Sequence, residues 1–179
     1  MRDNLKPSRY QHSLGVEAMA TELATIHGAD IEKAAFAGRY HDIAKYFDVE
    51  KTNQYIHKYG IDTRYLGNTA LAHSKIAAAI LENEYGVVDE DILNAVKSHT
   101  TGRVGMSLLE EIVYVADAIE DNRNYPELME LQAEARTNLD LACLHIMNFA
   151  VQMILEKGRE LDEDTLDARE YIKERLKVK

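Results

Sequence analysis

Residues 107–121 read SLLEEIVYVADAIED, and this stretch carries the clearest secondary-structure signal in the chain. Ser107 and Glu110 have the S-x-x-E spacing of a capping box, in which side chains satisfy backbone groups at the start of a helix. Apolar residues then recur at intervals of three and four, the period of one helical face. The stretch therefore predicts an amphipathic helix whose apolar stripe is Leu108, Ile112, Val115, Ala116 and Ile119, with Asp117 at its border.

The same kinds of signal extend outward along the chain in both directions. Ser8 followed by Gln11 predicts a capping box at the start of a first helix. Asp30, Asp48 and Asp89 each precede a helical segment and are predicted N-caps. No segment alternates apolar and polar residues as a strand does. We therefore expect an all-α fold, with helices at about 8–28, 30–46, 48–60, 68–86, 89–102, 107–121, 126–158 and 165–176.

The composition is that of a globular protein. The chain has 179 residues, of which 46% are hydrophobic and 29% are charged, which is enough to bury a core within one domain. We expect a single domain over residues 1–179, with its core at about 8–155 and a C-terminal helix at about 165–176. Because the net charge of −10 repels nucleic-acid backbones, we expect no large nucleic-acid interface.

No feature of the sequence predicts export or a membrane span. Residues 1–7 are polar and lack the apolar region of a signal peptide, and no apolar run approaches the ~20 residues that a membrane span needs. Cys143 is the single cysteine, so an internal disulfide cannot form and a reducing compartment is suitable. We expect a cytoplasmic protein that makes no membrane contact.

Several ionisable residues fall on or beside the apolar stripes of the predicted helices. His12, for example, precedes Val16 by four residues, and His99 follows Val96 by three. Burying unpaired imidazoles and carboxylates costs several kcal/mol each. A bound metal relieves this cost because it uses the same groups as ligands. The six residues of this kind, from five predicted helices, are His12, His41, Asp42, His73, His99 and Asp117.

Each of these positions, taken alone, also has an ordinary structural interpretation. A single buried histidine is more often a hydrogen-bonded core residue than a ligand, and one His-Asp pair is a weak signal by itself. Six such residues on inward faces or at helix ends together favour a metal site. The other histidines, His27, His57 and His145, lie at a helix end or in polar surroundings, and we expect them to be structural.

Longer motifs resemble a known family. The segments RYQHS (9–13), HDIAK (41–45), AHS (72–74), SHTTGR (98–103), MSLLEEIVYVADAIEDNR (106–123) and YP (125–126) are similar to those of the YqeK-type HD proteins. These are bacterial symmetrical diadenosine tetraphosphate hydrolases of the HD superfamily of metal-dependent phosphohydrolases. The resemblance covers about residues 8–155. It implies a helical HD domain with a dinuclear centre, usually of iron, that splits diadenosine tetraphosphate into two ADP.

The resemblance also implies which residues hold the two metal ions. Imidazole and carboxylate ligands suit iron, with manganese, cobalt or zinc as alternatives. Carried over by position, one ion would be held by His12, His41, Asp42 and Asp117, and the other by His73 and His99, with Asp42 bridging both.

The expected chemistry is in-line attack of a metal-activated water at phosphorus, while the metals neutralise charge on the phosphoryl oxygens. Asp42 and Lys45 are the predicted catalytic residues. Lys45 lies three residues after Asp42 on the same helical face and could stabilise the leaving oxygen, although helix-end lysines are common in any case. The predicted phosphate contacts, for which ordinary polar loop residues are the alternative, are Thr101, Gly102, Arg103 and Arg123.

Other functions stay open at this point. An HD nucleotidase or nucleoside triphosphohydrolase would use the same site and differ in its products. A non-catalytic regulator would bind metal or nucleotide without turnover, and an acidic helical adaptor would bind no metal. Arg39, Tyr40 and Asp121 depart from the family pattern or have ambiguous roles, which leaves substrate preference open. We expect a nucleotide substrate, a nucleoside diphosphate product and pairing of two copies through an exposed helix face.

Overall fold

The computed structural model describes residues 6–178, and within that range the chain forms nine α-helices, a short 3-10 turn at Thr63–Tyr65 and no strand. The predicted all-α fold is therefore confirmed. The helices are α1 (Pro7–His27), α2 (Ile31–Tyr40), α3 (Val49–Tyr59), α4 (Thr69–Tyr85), α5 (Glu90–Ser98), α6 (Leu108–Ile119), α7 (Leu128–Thr137), α8 (Leu139–Glu156) and α9 (Glu163–Val178).

Four of the nine helix starts within residues 6–178 are fixed by capping side chains that the sequence predicts. The side chains of Asp30, Asp48 and Asp89 accept hydrogen bonds from backbone N–H groups in the first turns of α2, α3 and α5. Ser107 and Glu110 form the complete reciprocal capping box of α6. Each cap satisfies donors that have no partner inside the helix, so it fixes the residue at which the helix begins.

Three predicted boundaries are wrong. α1 begins at Pro7 without a side-chain cap, so Ser8 and Gln11 do not form the expected capping box; proline suits a first helical position because its missing N–H would be unpaired there. α2 ends at Tyr40, six residues earlier than predicted. The long helix predicted at 126–158 is two helices, because Asn138 leaves the helical conformation and its side chain caps α8.

One hydrophobic core is centred between α1, α2, α4, α5 and α6, and α7–α9 extend it with buried residues of their own. Leu23, Ile76 and Ile112 are fully buried in it, and each contributes ~1.5–3 kcal/mol relative to an exposed position. α1 and α2 approach closely at Gly38, where a Cβ would lie 3.0 Å from the Cα of Glu17. This close packing brings the N-terminal part of α1 beside the C-terminal end of α2.

α8 is long and apolar enough to cross a membrane by length and composition, and it is the one helix of that kind in the range 6–178. Core helices of soluble proteins pass the same test. Its inward residues Ala142, Cys143 and Met147 are fully buried against the rest of the protein. Arg175 of α9, which packs on α8, contacts Glu111 at 2.6 Å and so ties the C-terminal helix to α6.

Candidate metal centre

All six residues predicted as ligands come together at one end of the helical core. They form three overlapping groups in which the ligand atoms all lie within 4.8 Å of one another. Five of the six side chains are buried, and that of Asp117 is partly exposed. His12 belongs to α1, His41 and Asp42 follow α2, His73 lies in α4, His99 directly follows α5, and Asp117 lies in α6.

The His-Asp pair lies in a turn and not in a helix. After Tyr40 the backbone changes to hydrogen bonds between residues three apart, from Ile43 N to Tyr40 O and from Lys45 N to Asp42 O. Residues 41–46 therefore form a tight turn at the end of α2. This turn brings the Asp42 carboxylate into the middle of the histidine cluster.

The two oxygens of Asp42 face two different pairs of imidazoles. Oδ1 lies 3.1 Å from His73 Nε2 and 3.6 Å from His99 Nε2. Oδ2 lies 3.3 Å from His41 Nε2 and 3.8 Å from His12 Nε2. One carboxylate thus serves two groups of nitrogen atoms, which is the arrangement of a bridging ligand.

Asp117 completes the first of these groups. Its Oδ1 lies 2.9 Å from His12 Nε2 and 3.7 Å from His41 Nε2. One group is therefore made of two imidazoles and two carboxylates, and the other of two imidazoles and the shared carboxylate. Groups of three or four nitrogen and oxygen donors leave coordination positions for water and substrate.

The histidine rings are held so that their Nε2 atoms point into the cluster. With Nδ1–H directed outward, each Nε2 carries a lone pair, as a metal ligand requires. The Nε2 atoms of His73 and His99 lie 3.1 Å apart, so two lone pairs would repel each other unless a cation lies beside them. The three Nδ1 contacts to backbone oxygens are His41 with Gly38 (2.7 Å), His73 with Ala70 (2.8 Å) and His99 with Val96 (2.8 Å).

Three buried polar atoms of the cluster form no hydrogen bond of suitable geometry within residues 6–178, although other ligand atoms lie near them. They are His12 Nε2, His41 Nε2 and Asp42 Oδ1. Buried polar atoms are rarely left without a partner, and each exception needs an explanation. These three atoms are ligand atoms of the groups just described, so the residues present fit transition-metal ions.

The charge states of these groups also suit a metal site. Burial lowers the pKa of His99 to about 4 and also lowers the pKa of His73, which keeps both imidazoles neutral. Burial opposes ionisation of Asp42, but the imidazole of His41 lowers the pKa of the carboxyl group well below its usual range. The pKa of His41 is raised in turn, because the carboxylate outweighs the effect of burial; without metal this ring favours its protonated form, and it would release the proton on binding a metal. Neutral imidazoles and an ionised carboxylate are the forms that bind metal.

Comparison with known proteins identifies this arrangement. The model of the HD domain family matches residues 9–122, the range that contains all six predicted ligands. The chain belongs to the HD domain family. HD membership together with the buried His/Asp cluster makes the chain a metal-dependent phosphohydrolase that binds divalent metal.

Whole-length relatives place the chain more narrowly. It is 38% identical to a protein of Bacillus subtilis named "Bis(5'-nucleosyl)-tetraphosphatase, symmetrical". The alignment spans 166 residues and covers 92% of this chain and 89% of the relative. A protein of Halalkalibacterium halodurans with the same name is 36% identical, with coverage of 93% and 89%. The chain therefore belongs to this family within the HD proteins.

A solved structure from Clostridium acetobutylicum, described as a "predicted HD superfamily hydrolase involved in NAD metabolism", has the same fold. It superposes with a TM-score of 0.92 at 38% identity, over 97% of this chain and 93% of that one. The similarity extends beyond the HD domain to α7–α9, so the C-terminal helices are part of the shared architecture.

Arg9 contacts the cluster of predicted ligands, although it is not among the site residues predicted from the sequence. Its Nη1 lies 2.8 Å from Asp42 Oδ2, and its side chain is 22% exposed. The sequence signal is that Arg9 precedes His12 by three residues, which places both on one face of α1. Arg9 therefore lies between the cluster and solvent.

Glu120 is a second site residue that is not among those predicted from the sequence. It is fully buried, and its Oε1 lies 3.0 Å from His12 Nδ1, so the carboxylate accepts the outward N–H of a predicted ligand. Its Oε2 accepts hydrogen bonds from Asn122 N (2.8 Å) and Nδ2 (2.7 Å). A Cβ at position 15 would collide with this carboxylate, so Gly15 makes room for it. Glu120 orients His12, as carboxylates commonly orient metal-binding histidines.

Lys45, a predicted catalytic residue, and Arg123, a predicted phosphate contact, lie at the edge of the cluster. Lys45 Nζ lies 3.1 Å from His73 Nε2 and 3.7 Å from Asp42 Oδ1, and its side chain is 32% exposed. Arg123 Nη2 lies 2.7 Å from Asp117 Oδ1, and its side chain is 34% exposed. Both cations therefore touch predicted ligands and also reach solvent.

The structure does not bring the other predicted phosphate contacts to the cluster. Thr101 is fully buried and accepts a hydrogen bond from Lys75 Nζ. Arg103 forms a two-pronged ion pair with Glu110 at 2.7 and 2.6 Å, and with the buried Gly102 it lines a separate cavity of about 670 Å³. In this loop it is the Thr100 hydroxyl, 3.3 Å from His73 Nε2, that reaches the cluster. A substrate role for 101–103 stays a prediction.

The three histidines expected to be structural lie outside the cluster. His27 Nε2 is 2.7 Å from Ala135 O, and His57 is exposed. His145 Nδ1 is 2.8 Å from a carboxylate oxygen of Glu134. These positions separate the inward-facing histidines from the others, as the stripe pattern predicts.

Proposed function

We propose that this protein hydrolyses dinucleoside tetraphosphates symmetrically, so that diadenosine tetraphosphate gives two ADP. The observation that carries the proposal is the Asp42 carboxylate, whose two oxygens face two separate pairs of imidazoles at 3.1–3.8 Å. Such a centre suits phosphoryl transfer with two metal ions. The names of the relatives from B. subtilis and H. halodurans support the substrate.

The proposed centre holds two ions, with iron preferred and manganese, cobalt or zinc as alternatives. The shared carboxylate and the mixture of nitrogen and oxygen donors support this assignment. The proposed ligands of one ion are His12, His41, Asp42 and Asp117, and those of the other are Asp42, His73 and His99.

When bound, such metals lower the pKa of a water molecule and neutralise charge on phosphoryl oxygens. The residues of the chain supply the remaining functions. Arg9, Lys45 and Arg123 surround the cluster and are all partly exposed, so they reverse the negative charge of the protein locally and bind phosphate oxygens. The ammonium group of Lys45 is in position to donate to the oxygen that leaves with the second nucleoside diphosphate.

Product analysis tests the proposal. Metal-loaded protein is incubated briefly with diadenosine tetraphosphate, and the products are separated by anion-exchange chromatography. ADP should be the sole product, and the Asp42→Asn variant should form none. The His57→Ala variant, altered at an exposed histidine, should match the wild type. Equal amounts of AMP and ATP would contradict symmetric cleavage, and release of phosphate from mononucleotides alone would favour a nucleotidase.

The proposal also covers product binding, cellular location and the assembly of the enzyme. ADP, as the product, should bind to the metal-loaded protein without turnover. A cytoplasmic location is supported by the single cysteine, Cys143, which is buried and free. We also retain a single domain and pairing of two copies through an exposed helix face, for which light scattering of the purified protein gives the mass.

A further inference from the structure

An aromatic cavity lies directly beside the turn that carries Asp42 and Lys45. It has a volume of about 570 Å³, which is in the range of small-molecule sites. Ile43 and the end of α4 also contribute to its walls. Six aromatic side chains line the cavity: Phe36, Tyr40, Tyr46, Phe47, Tyr55 and Tyr85.

The turn at residues 41–46 contributes side chains to both the metal centre and the cavity. Lys45 contacts His73 and Asp42 in the cluster, and the next residue, Tyr46, lines the cavity. Neighbouring Cα atoms are only ~3.8 Å apart. Lys45 and Tyr46 are both partly exposed, at 32% and 43%, and the lining of the cavity begins one residue along the chain from a side chain that touches the cluster.

Three cationic side chains lie at the cluster or beside the Tyr46 ring that lines the cavity. Arg9 contacts Asp42 at 2.8 Å, Lys45 lies beside His73, and Lys6 Nζ lies 4.8 Å from the centre of the Tyr46 ring. Two of these cations touch the cluster and the third touches a ring of the cavity, in a protein whose net charge is −10. Their positions complement a chain of phosphates that runs from the metal centre towards the aromatic side chains.

We propose that this cavity binds the base of one nucleoside of the substrate, while Arg9, Lys45 and Lys6 bind the phosphates between that nucleoside and the metal centre. This assignment rests on the proposed hydrolysis of dinucleoside tetraphosphates and adds a nucleoside site to it. Bases stack on aromatic side chains whatever their hydrogen-bonding edge, because every base has a π-face.

The polar groups of the cavity explain why stacking dominates over recognition of one particular base. The Asp48 carboxylate accepts the backbone N–H of Lys51 as the cap of α3, and the Glu84 carboxylate is held by Lys58 and Tyr59. Both carboxylates thus already have partners within the protein. Lys51 Nζ, the third charged group of the lining, lies 3.8 Å from the centre of the Phe47 ring. We therefore expect adenine and guanine to bind with similar affinity.

The test compares Tyr46→Ala with Tyr171→Ala, which alters a tyrosine of similar exposure on α9 (39% against 43%). Tyr46→Ala should raise the KM for diadenosine tetraphosphate about 10-fold, the effect of losing one base stack. Tyr46→Phe should restore the wild-type value, since the ring remains, and Tyr171→Ala should leave it unchanged. Inorganic tetraphosphate, which has no base, should inhibit wild type and Tyr46→Ala equally.

Two outcomes would overturn the inference. One is an unchanged KM in Tyr46→Ala, and the other is an equal loss of tetraphosphate inhibition, which would mean that Tyr46 supports the phosphate path and not a base. Calorimetric titration with adenosine separates this inference from the proposed reaction. Adenosine should bind Tyr46→Ala about 10-fold more weakly than the wild type and Tyr171→Ala, whether or not the dinucleotide is hydrolysed.

Discussion

Replacing Glu120 with glutamine tests whether this buried carboxylate orients a metal ligand. Glu120 Oε1 lies 3.0 Å from His12 Nδ1, while Oε2 accepts two N–H groups of Asn122. Glutamine has the same shape but only one acceptor atom. In one orientation its NH₂ group faces the donors of Asn122, and in the other it faces the Nδ1–H of His12. Either way, one donor meets another donor.

The size of the effect follows from this geometry. Loss of the group that orients a metal-binding histidine typically weakens metal binding by ~10–100-fold, which is ~1.4–2.7 kcal/mol. Glu120 contacts His12 and none of the other five proposed ligands in the contacts that the structure describes. The loss should therefore fall on the ion held with Asp117, and the ion at His73 and His99 should bind nearly as in the wild type.

Titration of metal-depleted protein with Mn²⁺, followed by calorimetry and electron paramagnetic resonance, measures the two sites separately. Glu110→Gln is the matched control, because Glu110, near the start of α6, is also a fully buried glutamate but pairs with Arg103 and Ser98. It should lower the thermal stability and leave both metal affinities unchanged. Equal weakening of both sites in Glu120→Gln, or two unchanged affinities, would refute the positioning role.

Three further predictions concern the shared ligand, the lysine beside it and a buried acid elsewhere. Asp42→Ala should lose both metals in elemental analysis, whereas His73→Ala should mainly lose one. Lys45→Ala should lower kcat by ~10²-fold at unchanged metal content; full activity would make it structural. Burial raises the pKa of Glu111 to about 7 against the opposing effect of Arg175. Since the folded state then holds the proton more tightly, the unfolding free energy should fall by ~1–3 kcal/mol between pH 4.5 and 7, and Glu111→Gln should abolish that slope in chemical denaturation.

Helix positions were largely predictable because their signals are local. The caps at Asp48 and Asp89 and the capping box of Ser107 act within one helical turn, so they can be read without knowledge of the fold. Asn138 carried a similar signal, which the expected long helix overlooked. The early end of α2 had no local signal, since residues 41–46 contain no glycine or proline. There the tertiary contacts of Asp42 outweigh helix propensity.

The loop after α5 shows where inference from residue type fails. Arg103 is a chemically suitable phosphate ligand, yet the buried carboxylate of Glu110 engages its guanidinium group. Thr101 has a suitable hydroxyl, yet it lies beneath the surface beside Lys75. Residue type determines which contacts a side chain can make, and only the fold determines which partner lies close enough to make them.

The sequence by itself determined the helical class and singled out the six polar residues. The 3.6-residue period accounts for His12, His73 and Asp117, which lie within helices. His41, Asp42 and His99 follow helix ends, where only the fold shows that they face inward. Only the tertiary structure decided that the two oxygens of Asp42 face different histidine pairs. It also decided that Glu120 holds His12 across 108 residues of chain, and that Tyr46 lies beside a cavity next to the cluster. These relations join residues far apart in sequence, and the packing of α1, α2, α4, α5 and α6 brings them within a few ångströms of one another.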